Sequence, residues 1–294
     1  MKARFNFGRL AGKDEVYGRE SELKNLIEII SSGGSAALSA IRGMGKSSLM
    51  KAVSESLSER KFIWLSFESI YNSLDLAQNL INGLISANVI SENSQELSNL
   101  ENARLGINDG SLSASVFIEN ILNEYIFANQ DLILVLDEIT RARGLGRTYN
   151  WLLRTLYYGI KRDRIQAIMA SSEIGIIKHT IMNEQLPFYK LLNLIELKPL
   201  DEPTSLNYLF EGLEFYGASC PKPKIYEYYI ISEGIPVWLS LSGLRMVEGL
   251  CNPVGIYRDD RALKYVLEQF LQLSRKEKEI LRLAAKRMDI GAAG

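Results

Sequence analysis

The chain has 294 residues, of which 47% are hydrophobic and 23% are charged, and its formal net charge is −1. This length suits about two domains, and the composition is that of an ordinary globular protein. The near-neutral charge excludes an overall electrostatic attraction to nucleic acid or to an anionic membrane surface. No apolar run approaches the length of a membrane-spanning helix, and residues 1–6 lack the apolar core of a signal peptide.

The cysteine and histidine content argues against a metal site built on thiolates or imidazoles. Cys220 and Cys251 are far apart in the sequence and have no metal-ligand spacing, and His179 is the single histidine. A chain with two distant cysteines suits a reducing compartment. We therefore expect a cytoplasmic protein that does not bind a membrane.

Apolar strands alternate with amphipathic helices over the first 200 residues, which predicts a mostly parallel sheet with helices on both faces. In chain order the predicted elements are a helix over 21–30, a strand ending near 41 with its helix to about 57, a strand over 62–67, helices over 74–85 and 116–128, a strand over 131–136, a helix over 151–161, and strands over 165–172 and 191–197. The polar segment 91–110, with its Asn-Asp-Gly turn signal, predicts a mobile, solvated loop.

From residue 201 the pattern becomes helical. The predicted helices are 204–215, 225–232, 237–247, 262–273 and 276–288. We therefore predict a core over 1–200, a helical lid over 201–255, and C-terminal helices over 256–294.

Residues 40–48, with the sequence Ala-Ile-Arg-Gly-Met-Gly-Lys-Ser-Ser, lie between a short apolar run and an amphipathic helical pattern. This order of strand, glycine loop and helix is typical of a phosphate-binding P-loop. Backbone N–H groups of such a loop and the N-terminus of the next helix bind anions. We expect Lys46 to contact the β- and γ-phosphates and Ser47 to bind Mg²⁺. The predicted phosphate-binding residues are Arg42, Gly43, Met44, Gly45, Lys46, Ser47 and Ser48.

The P-loop departs from the usual pattern at its first position, which is Ala40 instead of glycine. A positive φ at an alanine would cost about 1–2 kcal/mol. We therefore expect Ala40 to keep an extended φ, with the close approach to phosphate left to Gly43 and Gly45.

Residues 131–138, Asp-Leu-Ile-Leu-Val-Leu-Asp-Glu, form an apolar run that ends in two carboxylates. Such runs are typical of strands buried on both faces of a parallel sheet. Because ligands of open α/β sheets lie beyond the carboxyl ends of the strands, Asp137 and Glu138 are expected beside the P-loop. We predict that Asp137 holds Mg²⁺, largely through water, and that Glu138 is the general base for the attacking water.

With these motifs the chain resembles the archaeal ATPase family, a branch of the AAA+ and STAND-like P-loop ATPases. The marks of the resemblance are Tyr17-Gly18-Arg19-Glu20-Ser21-Glu22-Leu23, the P-loop, Leu136-Asp137-Glu138-Ile139, Ala170-Ser171-Ser172, Leu197-Lys198-Pro199-Leu200 and Gly234-Ile235-Pro236. It implies an α/β fold in which the parallel sheet of a P-loop NTPase is flanked by helices and followed by a helical lid.

The resemblance also implies roles for residues outside the P-loop, with ATP or ADP and Mg²⁺ as ligands. Arg19 would lie against the adenine, and Pro236 belongs to a lid motif that packs near the base. Ser171 and Ser172 stand where family members carry a small polar sensor of the γ-phosphate. A serine pair that closes a strand also occurs without such a role, and both interpretations stay open.

The chain departs from the family at residues 187–191, Pro-Phe-Tyr-Lys-Leu, where members often carry an arginine. Lys190 is a weaker substitute, because lysine lacks the bidentate fork of arginine. An arginine finger can be worth roughly 10³–10⁵ in rate, so hydrolysis is expected to be slow unless another arginine contributes. Arg141, Arg143 and Arg147 follow the Asp-Glu strand and are candidates, although solvated loop arginines show the same pattern.

Residues 271–281 resemble the opening helix of a winged helix, a module with which family members bind DNA or protein. The basic residues of this region are Arg275, Lys276, Lys278, Arg282, Lys286 and Arg287. A solvated helix face has the same composition, which weakens the case for DNA contact.

Two functions follow from the sequence. The first is a Mg²⁺-dependent ATPase whose nucleotide state sets the position of the lid, and Glu138 favours it. The alternative is a module that retains ATP or ADP, hydrolyses little and acts through a protein partner or DNA, and the missing arginine favours it. An origin-recognition-like initiator is a third hypothesis, disfavoured by the near-neutral charge.

Overall fold

The computed structural model describes residues 2–108, 113–184, 186, 188–273 and 275–291. Its strands are β1 (Ala36–Ser39), β2 (Lys61–Ser66), β3 (Leu132–Asp137), β4 (Gln166–Ser171) and β5 (Asn193–Glu196). They form one parallel sheet in the order β2-β3-β4-β1-β5. β4 therefore lies between the strand that precedes the P-loop and the strand that ends in Asp137.

Side chains of β3 alternate between two buried faces of the sheet. Ile133 and Val135 belong to the core on one face, and Leu134 and Leu136 to the core on the other. The first face is covered by α1 (Glu20–Ser31) and α2 (Lys46–Ser56). The other is covered by α3 (Ser73–Ser86), α4 (Gln95–Asn108), α5 (Ala114–Ile121), α6 (Arg147–Lys161) and α7 (Ile174–Met182). Burial on both faces explains why the strands are continuous apolar runs.

The prediction of a loop over residues 91–110 is wrong for residues 95–108, which form α4. Leu97 and Leu100 of this helix are buried in the core that also contains α3. Since few apolar side chains of the segment face the core, its sequence looks polar, and packing on the neighbouring helix supports it. Asp109 and Gly110 of the predicted turn lie outside the described residues.

Beyond Leu200 the described chain is helical. Asp201 begins this region by accepting the N–H of Thr204 at 2.9 Å, which caps the first helix. The helices are α8 (Glu202–Phe215), α9 (Lys222–Ser232), α10 (Pro236–Val247), α11 (Asp260–Gln272) and α12 (Arg275–Gly291), with a 3₁₀ turn at Pro253–Arg258. The helical region is that expected of a lid, while the domain limits at 200 and 255 stay predictions.

Residues 2–19, here called the N-terminal strap, tie the lid to the core. Phe5 is buried in the lid, where its ring lies on Gly212 and Gly243. A side chain at either glycine would collide with the ring, so both positions need glycine for packing. The strap thus completes a lid core that the later helices do not fill by themselves.

α12 leaves Ile280, Leu281 and Leu283 exposed. The side chains of Lys286 and Arg287 lie outside the described part of the chain, as does Ser274. The winged-helix interpretation and DNA contact through this end therefore stay predictions.

Cys220 and Cys251 lie together as a disulfide, with Cα atoms 5.9 Å apart. The inference of a reducing compartment, which relied on their distance in the sequence, loses that support. Among the described helices none has the length and apolarity that a bilayer crossing needs.

Gly234 joins the lid to the end of the sheet. Its φ is +71°, and its carbonyl accepts the N–H of Leu200 at 2.8 Å. A Cβ at this position would collide with the Leu200 carbonyl oxygen. The glycine of the Gly-Ile-Pro motif is therefore required by both conformation and space.

Replacing Gly234 should weaken the fold more than replacing a glycine with the same conformation in open space. We expect Gly234→Ala to lower the free energy of unfolding by about 2–4 kcal/mol, from backbone strain plus overlap. The matched control Gly249→Ala, at φ +79° with nothing within 4 Å of the added Cβ, should lose only about 1–2 kcal/mol. Urea denaturation measures both, and equal losses would contradict the close contact.

Candidate functional site

The P-loop adopts the glycine-dependent turn that its sequence predicts. Gly43 and Gly45 have φ of +82° and +90°, which a side chain would disfavour. Ala40 is not among the described residues with positive φ, as expected, and its carbonyl accepts a hydrogen bond from Lys46 Nζ at 2.9 Å. The loop curls around its own lysine, so the ammonium group lies at its centre.

Lys46 is only 5% exposed, and a buried ammonium group needs compensation. Its Nζ lies 3.5 Å from Glu138 Oε1. Burial lowers the pKa of Lys46, and the neighbouring carboxylates of Glu138 and Asp137 oppose that shift. The Lys46 ammonium group is therefore stabilised by the carboxylates of Asp137, the last residue of β3, and Glu138, which follows it.

Ser47 and Asp137 meet at the position predicted for a magnesium ion. Ser47 donates its hydroxyl proton to Asp137 Oδ2 at 2.6 Å. The other oxygen, Oδ1, is buried and has no hydrogen-bond partner. An unpartnered carboxylate oxygen beside a hydroxyl suits a hard cation that keeps several waters and takes few protein ligands. No group of three or more acidic, cysteine or histidine side chains in the described residues forms a competing metal site.

Glu138 is held in a strained and buried position at the end of β3. Its φ is +53°, a left-handed conformation that costs about 1–2 kcal/mol and clusters at functional sites. Its Oε2 accepts hydrogen bonds from the backbone N–H and the hydroxyl of Ser172, both at 2.8 Å. The carboxylate is thus oriented by Ser172 and Lys46.

The two predicted sensor serines have different surroundings. Ser171 is fully buried, pairs with Thr140 Oγ1 at 2.7 Å and accepts the N–H of Glu173 at 3.0 Å. Ser172 instead contacts Glu138. The Ser171 hydroxyl is thus engaged within the protein and Ser172 lies against Glu138, while the sensor role of both serines stays a prediction.

A cleft of 430 Å³ lies between the P-loop, the strap and the lid. On the lid side Val237 donates its N–H to the Gly43 carbonyl at 3.2 Å, and a Cβ at Gly43 would collide with the Val237 side chain. Pro236, one residue earlier, lines the cleft, and its predicted packing near the base stays a prediction. Tyr265 and Glu268 of α11 also reach it. The lid therefore touches the phosphate loop through its backbone.

The strap closes the other side of the cleft. Ser48 accepts the N–H of Ala11 at 3.1 Å, which joins the strap to α2. Tyr208 of the lid donates its hydroxyl to the Arg4 carbonyl at 2.6 Å. Ser48, predicted as a nucleotide-binding residue, thus lies in the cleft wall while its hydroxyl anchors the strap.

Arg19 lines the cleft, but its guanidinium group is occupied inside the protein. It donates to the Lys198 carbonyl at 2.6 Å and to Glu22 at 3.0 Å. It also lies 3.5 Å from the Met44 carbonyl. These contacts link the P-loop to the chain after β5, and burial lowers the pKa of Arg19. The predicted contact with adenine stays a prediction.

Arg42 forms an ion pair with Glu68, and both residues line the cleft. Glu68 was missed by the sequence reasoning, although it follows β2 at the same edge of the sheet as Asp137, and that position is the signal that could have found it. Tyr265 and Glu268 were also missed, since only the folding of the lid brings α11 to the cleft.

The candidate substitutes for the missing arginine do not line the cleft. Lys190 is exposed and lies over the Tyr189 ring, 5.0 Å from its centroid. Arg143 pairs with Glu173 at 2.6 Å, and Arg147 is exposed. Burial is the main cause that lowers the pKa of Arg42, and the half-buried Arg141 is close enough to lower it further. Pro187, at the start of the divergent segment, lies outside the described residues.

The strap should be sensitive to acid because of Glu15. The hydrogen bond from Arg9 is the main cause that lowers the pKa of Glu15 from 4.5 to about 2. A lowered folded pKa stabilises the fold above the unfolded pKa and loses that contribution as the pH falls toward 2.

We expect Glu15→Gln to lower the free energy of unfolding at neutral pH by about 1–2 kcal/mol, since solvent screens the exposed Arg9. Urea titrations from neutral to acidic pH measure this, and the variant and native curves should converge near the folded pKa of about 2. Glu59→Gln, at an exposed glutamate, is the control and should track the native protein. A constant difference at every pH would count against the ion pair.

Ionisation of Asp137 should change the free energy of unfolding in the opposite direction to ionisation of Glu15. Desolvation is the main cause that raises its pKa above 3.8. The native state therefore binds more protons than the unfolded state between the two pKa values, and stability falls as the pH rises through that window.

Asp137→Asn should accordingly remove this fall and raise the free energy of unfolding at neutral pH by about 1 kcal/mol, while weakening Mg²⁺-dependent nucleotide binding. Urea denaturation against pH, with nucleotide titrations in Mg²⁺ and in chelator, measures both effects. A destabilised variant at neutral pH would show that ionised Asp137 supports the fold.

No protein-family model and no curated protein sequence matches the chain. Solved structures do match. A Walker-type ATPase of Pyrococcus abyssi superposes with a TM-score of 0.64 at 24% identity, over 96% of this chain and 80% of that one. The Orc1 protein of Aeropyrum pernix, solved in complex with DNA, gives 0.57 at 15% identity, over 83% of this chain and 62% of its own. A RuvB mutant of Thermotoga maritima superposes with a TM-score of 0.52 at 14% identity, over 92% of this chain and 77% of that one.

The resemblance that the motifs carry is confirmed at the level of fold, and archaeal ATPases are among the structural neighbours. The superpositions cover the five-stranded parallel sheet of this chain and most of the helical region after it. The chain therefore has the fold of a P-loop NTPase, with a helical region after the sheet.

Proposed function

We propose that the protein binds and hydrolyses ATP with Mg²⁺ and couples its nucleotide state to the position of the lid. One observation carries the proposal. Lys46, Ser47, Asp137 and Glu138, from α2 and from the end of β3, meet in one cleft beneath the lid. Cation, hydroxyl and paired carboxylates are the groups that phosphoryl transfer to water requires.

Each of these cleft residues has a separate role in the proposed hydrolysis. The P-loop N–H groups and Lys46 bind the phosphates, and Ser47 and Asp137 hold Mg²⁺, which neutralises charge on the phosphates when bound. Glu138 orients and deprotonates the attacking water, since it is the one carboxylate of the pair that no hydroxyl of the P-loop engages. Arg42, whose partner Glu68 is a cleft residue, supplies a second cation near the phosphates.

The adenine is placed between the strap and the lid. Tyr17, Leu200 and Pro236 line this part of the cleft, and Arg19 fixes its floor through the carbonyls of Met44 and Lys198. A partly apolar wall with an aromatic ring suits a purine base. The likeness to a protein called a Walker-type ATPase supports adenine as the base.

Nucleotide state reaches the lid through the P-loop backbone. Val237 donates its N–H to the Gly43 carbonyl, so a displacement of the P-loop backbone would move the first turn of α10. The strap transmits the same change, because Ser48 holds Ala11 while Phe5 is buried in the lid. Release of phosphate would loosen both connections, in the manner of other nucleotide switches.

Replacing Glu138 tests the proposal. We expect Glu138→Gln to slow single-turnover ATP hydrolysis by about 10²–10⁴-fold, with nucleotide affinity kept within a few-fold. The control is Glu59→Gln, at an exposed glutamate outside the cleft, which should hydrolyse like the native chain. Single-turnover rates and ATP binding are measured on all three proteins, and a Glu138→Gln rate equal to the native rate would reject Glu138 as the base.

A second candidate function is a nucleotide-retaining module with little turnover. Its support is the engagement of Glu138 by Ser172 and Lys46, together with Lys190 lying away from the cleft. The same experiment separates the two: tight binding with negligible hydrolysis in native and variant proteins alike would favour the module.

A further inference from the structure

A second cavity, of about 320 Å³, lies at the opposite edge of the sheet from the P-loop. Its wall comes from α6, from the turn before β4 and from the residue that ends the helix before β3. Residues that precede strands of a parallel sheet lie at its amino edge, so the strands separate this cavity from the nucleotide cleft. We call it the arginine cavity, after its wall residues Phe127, Trp151, Arg154, Tyr158, Arg162 and Arg164.

The three arginines of the cavity are held in place by aromatic rings. The Cζ atoms of Arg154 and Arg162 lie 5.8 Å and 5.7 Å from the Tyr158 ring centroid. Arg164 Cζ lies 5.7 Å from the centroid of Phe127, which is itself buried. Packing on a ring restrains a guanidinium group while its N–H donors stay available.

None of these guanidinium groups has a carboxylate within 4.0 Å or a hydrogen-bond acceptor among the described residues. The other arginines near the sheet differ, since Arg60 binds two carbonyls and Gln166, and Arg143 pairs with Glu173. Three cations around one cavity repel each other. Glu119 also lines the cavity but forms no ion pair with any of the three, so the repulsion is only partly offset. An anionic ligand would remove that repulsion and satisfy the donors.

The backbone around the cavity is specialised as well. Leu122–Ile126 forms a π-helical turn, a rare conformation that is frequent at functional sites, and Asn123 of this turn lines the cavity. Gly159 lies in the interior of α6, where a Cβ would come within 2.8 Å of the Phe127 ring and 3.0 Å of Ile165. The glycine lets Phe127 form the floor on which Arg164 packs.

We propose that the arginine cavity binds single-stranded nucleic acid, with phosphates on Arg154, Arg162 and Arg164 and a base stacked at Trp151 and Tyr158. Single strands are bound by basic grooves lined with aromatic side chains, because every base has a face that stacks. Guanidinium planes serve as stacking surfaces too. The overall charge of −1 conceals this local concentration of positive charge.

Two features favour a single strand over other anionic ligands. The Tyr158 side chain is 43% exposed and Trp151 is half-buried, so both rings can be reached by a ligand. A single strand offers base faces that stack on such rings, whereas a duplex hides them. An acidic protein segment would pair with the arginines but would leave these rings without a planar partner. The proposal concerns the edge of the sheet away from the nucleotide cleft and holds whether or not the chain hydrolyses ATP.

The test is fluorescence anisotropy of the full chain with a labelled oligothymidylate of about 16 nucleotides, a length in the range of one binding site. We expect the triple variant Arg154→Ala, Arg162→Ala, Arg164→Ala to bind at least about tenfold more weakly. The slope of the logarithm of its binding constant against the logarithm of the salt concentration should fall in magnitude by about 2, since each neutralised phosphate of a single strand contributes roughly 0.7.

The charge-matched control is Lys13→Ala, Lys222→Ala, Lys264→Ala, three exposed lysines outside both cavities. It should bind like the native chain. Equal loss in the two triple variants would show that net charge alone drives binding and would overturn the site.

A second arm tests the stacking. Trp151 fluorescence should be quenched when the oligothymidylate binds, and the variant Trp151→Phe should lose that quenching. Absence of native binding at low salt, or unchanged affinity in the arginine variant, would overturn the proposal. Competition by duplex DNA or by poly-glutamate as strong as that by the unlabelled single strand would also overturn it, in favour of a duplex or a protein partner.

Discussion

The buried charge of Lys46 is the constraint around which the core is arranged. An ammonium group that is 5% exposed requires compensation from nearby acids and carbonyls. The P-loop supplies the Ala40 carbonyl, and Glu138 and Asp137 arrive from β3, which is two strands away in the sheet. The strand between them, β4, ends in small residues. Its last residue, Ser171, pairs with Thr140, and Ser172, which follows the strand, donates to Glu138. The sheet order and the small residues at the end of β4 are thus what bring the charges together.

Close backbone contacts join the lid to this charged centre. Gly43 meets Val237 and Gly234 meets Leu200, and each glycine has a positive φ and no room for a side chain. Contacts of this type have little tolerance for displacement, because interiors are packed without spare volume. The strap adds a third connection, with Phe5 filling the lid and Ser48 holding Ala11. The cleft beside the P-loop is therefore formed by three parts of the chain that are distant in sequence, and its shape depends on their relative position.

The two edges of the sheet carry different chemistry. At the carboxyl edge, cations and carboxylates are paired within a cleft, whereas at the amino edge three guanidinium groups lie on aromatic rings without acidic partners. α6 and the strands it follows and precedes connect the two. A ligand at the arginine cavity would thus bind to elements whose other ends hold Glu138 and Ser172, which offers a physical path for coupling between the sites.

The strands, most helices, the P-loop motif and the two carboxylates after β3 could be predicted from the amino-acid sequence, because they depend on local patterns: apolar runs, glycines at fixed spacing and residues that end a strand. Sequence reasoning failed for α4, where a polar segment is held by its neighbour, and for Cys220 and Cys251, which are 31 residues apart yet adjacent in space. It placed Arg19 in the cleft without its carbonyl partners, and it missed Glu68, Tyr265 and the arginine cavity. Those features depend on contacts between distant segments, and only the tertiary structure decides which side chains meet.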